Sequence, residues 1–163
     1  MLDEGFIPII IIVVLSFALL LFVFIGLAIK KQKLDKKIEA LAAGTEELTP
    51  EEFFELRNFS FGGRGRPSYA RKKNFAGIYI IFNKTKNMYY VGQAQKVLDR
   101  VNNHFTGKGN GDVYADFKYG NKFTIKMIAL EGSGFSTLND LERHAIAKYN
   151  AFSRGYNKTR GNR

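Results

Sequence analysis

The 163-residue sequence contains no cysteine and only two histidines. Without cysteine the chain has no disulfide bond, no thiolate metal ligand and no thiol nucleophile. His104 and His144 are too few for a zinc site built from several histidines. The absence of cysteine is compatible with a reducing compartment.

Acidic residues are scarce in residues 57–163, which hold six acids against twenty lysines and arginines, a net charge of +14. Residues 1–56 hold nine acids against five lysines, a net charge of −4. So basic a segment favours a polyanionic partner, either nucleic acid or anionic lipid. We expect nucleic acid, because solubility alone rarely needs such an excess of positive charge.

Residues 6–29 lack charge altogether. A helix of this length extends ~36 Å, enough to cross a ~30 Å hydrocarbon core with some tilt. A cleaved signal peptide is the alternative, but its apolar stretch has about 7–15 residues and follows a basic start. Here the run is longer and follows Asp3 and Glu4. We therefore predict a transmembrane helix over residues 6–29, after a short extracytoplasmic N-terminus at residues 1–5.

Five lysines follow the apolar run between residues 30 and 37, and no basic residue precedes it. The positive-inside rule therefore predicts a single-pass protein of the cell membrane, with its N-terminus outside and the remainder in the cytoplasm. Membrane lipid is accordingly an expected partner.

Residues 30–57 are expected to form a basic, then acidic, helical stalk. Leu34, Ile38 and Leu41 keep helical spacing, and this apolar stripe is either partly solvated or pairs two copies of the chain in a homodimer. Thr49 precedes proline and two acids and should begin a short helix. Residues 58–74 mix glycine, arginine and proline without periodicity and predict a basic, flexible linker. This linker contacts DNA or lipid headgroups, or is only a solvated tether.

From residue 75 onward the patterning is that of a folded domain. The predicted elements are a β-hairpin at 76–93, helices at 95–105 and 112–119, a strand at 122–130, and a helix from Ser136 or Thr137 through Tyr149. The order ββααβα predicts an α+β domain over residues 75–163, with helices packed on a three-stranded antiparallel sheet. The glycine-rich loop at 106–111 lacks a Walker motif and does not predict a nucleotide site.

The hairpin carries Gly77-Ile78-Tyr79 and, after ten intervening residues, Tyr90-Val91-Gly92. Arg100 and His104 follow one helical turn apart, Glu142 lies in the last predicted helix, and Gly155-Tyr156-Asn157 stands near the C-terminus. Together these five ordered elements resemble the GIY-YIG nuclease superfamily. The resemblance covers residues 76–160, with Gln93 at a position where members often have serine or threonine.

The resemblance implies a metal-dependent endonuclease that hydrolyses DNA phosphodiester bonds. It implies a catalytic set of Tyr79, Tyr90, Arg100, His104, Glu142 and Asn157. Glu142 would hold the metal, Mg²⁺ or Mn²⁺, and one carboxylate is enough because Mg²⁺ keeps several waters. Arg100 offers a permanent charge and a planar donor fork to a phosphate. Tyr79 would be the general base or would orient the water, but its ordinary pKa near 10 requires a nearby cation.

Each of these residues also has a structural interpretation. Arg100 can pair with Asp99 or Asp140, Glu142 can be a solvated acid beside Arg143, and the rings of Tyr79 and Tyr90 can belong to the core. His104 can relay protons, bind phosphate or cap its helix. Asn157 is expected to brace the site by hydrogen bonds, and His144 is expected at the surface.

Specificity is expected to be low, because no sequence-reading module accompanies the domain. Lysines would instead contact backbone phosphates of DNA, which is expected to be double-stranded. The lysines that we single out are Lys72, Lys73, Lys84, Lys86 and Lys108. No small-molecule cofactor is expected. The sequence thus predicts a membrane-anchored nuclease that could act on phage or plasmid DNA entering a cell. A non-catalytic tether for nucleic acid, or a membrane structural protein that binds anionic lipid, are the alternatives.

Overall fold

The computed structural model describes residues 6–60 and 68–161. Its elements are α1 (Phe6–Ala43), α2 (Pro50–Asn58), α3 (Tyr69–Lys73), β1 (Gly77–Asn83), β2 (Met88–Ala94), α4 (Val97–Phe105), α5 (Gly111–Lys118), β3 (Phe123–Ala129) and α6 (Leu138–Lys148). From β1 onward the order is ββααβα, which confirms the predicted α+β class. The chain divides into two compact units, with the boundary between Lys37 and Ile38.

Helix α1 is 38 residues long and contains the uncharged run. By length and composition alone, this helix is long and apolar enough to cross a membrane. The large apolar side chains from Ile11 to Ile29 are all exposed. Residues 1–5, predicted to be an extracytoplasmic N-terminus, lie outside the described residues.

The sheet has the strand order β2-β1-β3, with both pairings antiparallel. Tyr79 lies opposite Gly92 on β2 and Met127 on β3. Because side chains alternate along a strand, Tyr79 and Ile81 point to one face of the sheet and Ile78 and Ile80 to the other. The two tyrosine motifs are therefore brought side by side by the hairpin register.

Helices cover both faces. The face of Tyr79 and Ile81, which we call the α4 face, packs against α4 together with Phe53 of α2. The opposite face, which we call the α6 face, packs against α6 and the last two turns of α1. The residues that build the α6 face are Ile38, Ala42, Ile78, Ile80, Val91, Ile128, Leu141, Ala145 and Ile146.

The two outer edges of the sheet are paired with irregular segments of the same chain. On β3, Leu48 and Ile125 exchange both backbone hydrogen bonds, at 3.0 and 2.8 Å. On β2, the side-chain amide of Asn157 accepts from the Val91 N–H at 2.9 Å and donates to the Val91 carbonyl at 2.7 Å. We call residues 38–60 and 68–74 the N-terminal extension. This extension and the C-terminal loop therefore each cover part of one sheet edge.

Part of the predicted stalk packs onto the sheet, so residues before the predicted domain start at residue 75 contribute to the core. Ile38 and Phe53 are fully buried, and the second compact unit begins at Ile38. The capping box of Thr49 and Glu52 sets the start of α2, which then packs under the α4 face. Because Ile38 is buried within its own chain, the predicted apolar stripe is not available as a whole to pair two copies. The apolar spacing alone did not reveal which surface covers it.

The predicted linker is also partly structured. Ser68 is the N-cap of α3, and Ala70 is buried in the core beneath the α4 face. Residues 61–67 of the linker lie outside the described residues.

Candidate active site

A cavity of about 310 Å³ lies beside the two tyrosine motifs. It is lined by Tyr79, Tyr90, Gly92, Gln93, Arg100, Asn110, Glu142, Asn157, Lys158 and Thr159. Five of the six residues in the predicted catalytic set thus line one cavity, although they come from two strands, two helices and the C-terminal loop. The sixth, His104, lies behind Tyr79.

Tyr79 projects from the middle of β1 and is almost fully buried, with 1% of its surface exposed. Its hydroxyl lies over Gly92, where a Cβ would collide with it. Glycine in the second motif is therefore required by the position of the first tyrosine. Burial and the neighbouring Tyr90 raise the pKa of Tyr79 well above 10, while a hydrogen bond and the charge of Arg100 act in the opposite direction.

His104 is completely buried. Its Nδ1 lies 2.8 Å from the backbone nitrogen of Asn110 and accepts that N–H. The neutral ring therefore carries its proton on Nε2, which donates to the Tyr79 hydroxyl oxygen at 2.9 Å. Burial, followed by the charge of Arg100, lowers the pKa of His104 to about 4. His104 is thus a neutral donor that holds Tyr79, and it does not line the cavity where a phosphate would bind.

The glycine-rich loop at 106–111 holds this histidine. A Cβ at Gly109 would lie 2.6 Å from His104 Nδ1, so only glycine lets the loop pass over the ring. Asn110 also begins α5 by accepting the N–H groups of Asp112 and Val113. The loop therefore fixes the histidine tautomer and starts the next helix.

Arg100 extends from α4 toward both phenols. Burial by itself would lower its pKa, but hydrogen bonding and charge interactions with Tyr79 and Tyr90 raise it above its ordinary value. The acids considered as its alternative partners are engaged elsewhere: Asp99 pairs with Arg57 at 3.1 Å, and Asp140 pairs with Arg143.

Tyr90 completes the aromatic group. Its ring centroid lies 6.1 Å from that of Tyr79 and 4.8 Å from that of His104. Burial is the main cause that raises its pKa. Tyr90 therefore presents a protonated hydroxyl to the cavity at neutral pH.

Glu142 reaches the cavity from α6. The helix is capped by Thr137, which accepts the Asp140 N–H, and its apolar side chains anchor it on the α6 face. Glu142 is 7% exposed, and its Oε2 accepts a hydrogen bond of 2.9 Å from Gln93. Gln93 also donates to Asn139 at 2.7 Å. The carboxylate is therefore held in place, rather than being solvated beside Arg143.

Glu142 is also the residue that could hold a metal. Over residues 6–60 and 68–161 no group of three or more His, Asp or Glu side chains is suited to a metal ion. A single carboxylate, oriented by an amide at a cavity wall, fits a hard cation that keeps most of its water ligands. It does not fit zinc, which takes at least three protein ligands.

The closing motif clamps the C-terminal loop onto β2. A Cβ at Gly155 would collide with the carbonyl of Tyr89, which accepts the Tyr156 N–H at 2.9 Å. The Tyr156 hydroxyl accepts from Asn83 and donates to Asp116, both at 2.6 Å. With Asn157 bound to the β2 backbone, the motif braces one wall of the cavity.

The lysines predicted to hold DNA are not equivalent. Lys84 pairs with Glu47 at 3.3 Å, and Lys86 pairs with Asp116 at 2.6 Å. Lys72 and Lys73 lie on α3 and Lys108 lies in the glycine-rich loop, all three exposed. His144, expected at the surface, is half-buried, with its ring 5.7 Å from that of Phe135.

The protein-family model of the GIY-YIG catalytic domain matches residues 75–157, just over half of the chain. The chain therefore belongs to the GIY-YIG family, and its domain is of the nuclease class. No curated protein and no solved structure matches the chain.

The sequence did not identify Gln93, Gly109, Asn110, Lys158 and Thr159 as residues of the site. In the sequence Gln93 is only a departure from the common motif, yet in the structure its side-chain amide donates a hydrogen bond to the Glu142 carboxylate. The glycines around Asn110 indicate close backbone approach, but the sequence does not show that the loop approaches the ring of His104.

Proposed function

We propose that this protein is a metal-dependent endonuclease that hydrolyses DNA with low sequence specificity. The observation that carries the proposal is the convergence of Tyr79, Arg100 and Glu142 on one cavity. These three side chains suit the binding of a divalent cation, a phosphate and a water.

Arg100 would bind the phosphoryl oxygens, because its planar fork matches two of them at once. Tyr79 would orient the attacking water, and its phenolate form would accept the proton of that water. Burial disfavours the phenolate, whereas the Nε2–H of His104 and the charge of Arg100 stabilise it. Mg²⁺ or Mn²⁺ held by Glu142 would supply the charge that stabilises the phosphoryl oxygens and the leaving alkoxide. The products would be a 5′-phosphate and a 3′-hydroxyl.

Low specificity follows from the kind of contact available. The basic domain offers many charges to phosphates, and phosphate contacts position a protein without reading bases. Helix α1 supports a membrane-anchored protein, and the five lysines after the apolar run support a nuclease domain in the cytoplasm. A nuclease so placed would meet DNA as it enters the cell, as in defence against phage or plasmids or in processing of taken-up DNA.

Cleavage by the full chain in a neutral detergent tests the proposal. Plasmid should be nicked and linearised by the unmodified protein with Mg²⁺ and remain intact with EDTA. The isosteric Glu142→Gln should reduce cleavage at least ~100-fold, because the metal that Glu142 would hold stabilises charge in the transition state, and DNA binding should change little. Glu131→Gln removes the same charge at an exposed position and should cleave normally.

Other outcomes distinguish the alternatives. DNA binding without cleavage by the unmodified protein would support the non-catalytic tether. Failure to bind DNA, combined with binding to anionic lipid, would support the membrane structural protein.

A further inference from the structure

A second cleft, of about 250 Å³, lies between the N-terminal extension and the start of α4. We call it the Arg57 cleft, and its lining includes Arg57, Ser68, Arg71, Asn74, Lys96 and Asp99. Arg57, Ser68 and Arg71 precede the stretch matched by the family model, which begins at residue 75. This cleft is therefore formed jointly by the family domain and the preceding segment of this chain.

The Arg57 cleft holds three cations and one carboxylate. Asp99 is fully engaged, since one oxygen accepts from Arg57 at 3.1 Å and the other from Asn74 at 2.9 Å. Within the part of the chain that the structure describes, neither Arg71 nor Lys96 forms an ion pair, and both are exposed. Two positive charges therefore remain for an external anion.

The polar groups beside these charges suit phosphate. The side chain of Ser68, the N-cap of α3, makes no capping hydrogen bond. A hydroxyl, a guanidinium and an ammonium are donors found at phosphates of nucleic acid backbones. Arg71 can supply two parallel N–H groups, and Lys96 a mobile point charge.

The position of the cleft indicates which phosphate of a DNA strand it would bind. Lys96 is the N-cap of α4 and precedes Arg100, which lines the cavity, by four residues, roughly 6 Å along a helix axis. Phosphates of one strand succeed one another about every 3.4 Å along duplex DNA. The cleft therefore lies close enough to the cavity for one DNA strand to contact both.

We propose that the Arg57 cleft binds a backbone phosphate of the DNA strand, close to the phosphate that is cut in the cavity. This inference rests on the proposed function, because it takes DNA as the substrate. The N-terminal extension then takes part in substrate binding as well as in the core.

The test compares two variants of the full chain in neutral detergent. Arg71→Ala/Lys96→Ala removes the two unpaired charges, while Arg57 stays because it is half-buried and paired. Lys118→Ala/Lys122→Ala removes the same charge from exposed positions at the end of α5 and after it. Neither change removes an ion pair among residues 6–60 and 68–161, so both variants should melt at the temperature of the unmodified protein.

DNA binding is measured without metal, by fluorescence anisotropy of a labelled 20-base-pair duplex at several salt concentrations. Loss of one phosphate contact should make the slope of log K against log salt shallower by ~0.9 in the cleft variant. In the cleavage assay KM should rise ~5–10-fold with kcat within a factor of two. The control variant should change KM less than twofold.

Equal slopes and equal KM values in the two variants would overturn the proposal while leaving the nuclease intact. A shallower slope in a protein that does not cleave would support the cleft and remove the proposed function. Neutral and anionic lipid nanodiscs provide a further arm. If the cleft variant binds DNA as the control variant does in neutral nanodiscs and differs from it only in anionic nanodiscs, the cleft is a lipid headgroup site and the proposal fails.

Discussion

The two faces of the central sheet are built from different chemistry. The α6 face is aliphatic, with Ile78, Ile80 and Val91 packed against α6 and the end of α1. The α4 face buries Tyr79 and His104 beside its apolar residues. Both faces arise from the same strands, because neighbouring residues on β1 point in opposite directions.

The two faces therefore contribute differently to stability and to the candidate active site. An aliphatic face gains free energy from every apolar contact that it buries. A buried hydroxyl and imidazole gain little unless each polar atom is satisfied, and their loss leaves a partner unsatisfied. The α4 face therefore holds Tyr79 and His104 in one arrangement, at some expense of stability, and the α6 face anchors the sheet and the helix of Glu142.

Tyr79→Phe should produce the largest functional effect. It removes the hydroxyl that contacts His104 and faces the cavity, so DNA cleavage should fall ~100–1,000-fold, the range expected for removal of a proton-transfer group. The free energy of unfolding should fall by only ~1–2 kcal/mol, because the His104 N–H loses its acceptor. Tyr119→Phe, at an 89% exposed tyrosine, is the matched control. Undiminished cleavage would show that the α4 face has no chemical role.

Ile80→Ala should reverse that pattern. Ile80 is 3% exposed on the α6 face, and its truncation should cost ~2–5 kcal/mol of unfolding free energy. Below the melting transition kcat should remain within about a factor of three, since no atom of the cavity changes. Ile29→Ala makes the same change at an exposed position of α1 and should leave domain unfolding unaltered. A chemical denaturation series measures both variants.

Ile38→Ala tests whether the end of α1 belongs to the α6 face. Ile38 is fully buried, so the variant should lose ~2–4 kcal/mol, as other large-to-small core substitutions do. A change below ~0.5 kcal/mol would mean that the domain starts later, as the sequence had suggested.

The pH dependence of stability distinguishes the faces through His104. Its pKa is lowered in the folded protein to about 4, so the unfolded chain binds more protons between pH 4 and 6.5. Stability should therefore be fully present above pH 6.5 and fall by up to about 3 kcal/mol as the pH drops to 4.

His104→Gln should remove most of this slope, and His144→Gln should preserve it. Urea denaturation at half-unit pH steps measures the slopes. If the two variants had identical slopes, His104 would not be the buried neutral group described here.

Single lysines should give the smallest effects. Lys108→Ala removes an exposed charge beside the glycine-rich loop and should weaken DNA binding ~2–3-fold, about the effect of one screened surface charge. Lys84→Ala should change affinity less than twofold, because Lys84 already pairs with Glu47. The comparison is made at one fixed salt concentration, and a larger effect at Lys84 would show that DNA displaces Glu47.

Much of the domain fold follows from local patterns. The β-branched and aromatic hairpin, the apolar face of α4 and the Thr137 cap of α6 each specify an element within a few residues. Their order then allows few arrangements, since a short hairpin must be antiparallel and the helices must cover apolar faces. Most motif residues lie in these elements, so many of the residues that line the cavity could be predicted from the sequence.

Contacts between distant segments were not predictable. Ile38 belongs to an apolar stripe whose spacing does not indicate whether water, another copy or its own domain covers it. The burial of His104 depends on Gly109 and Asn110, whose contact with the ring arises only from the path of the loop. Gln93 likewise gains its role from Glu142, 49 residues away.

The pairing of both sheet edges has a consequence for association between copies. Unpaired backbone groups on an outer strand attract strands of other chains and so promote aggregation. In this chain, Leu48 occupies part of the β3 edge and Asn157 part of the β2 edge. Two copies that meet at high local concentration therefore find fewer free backbone groups through which to join their sheets edge to edge.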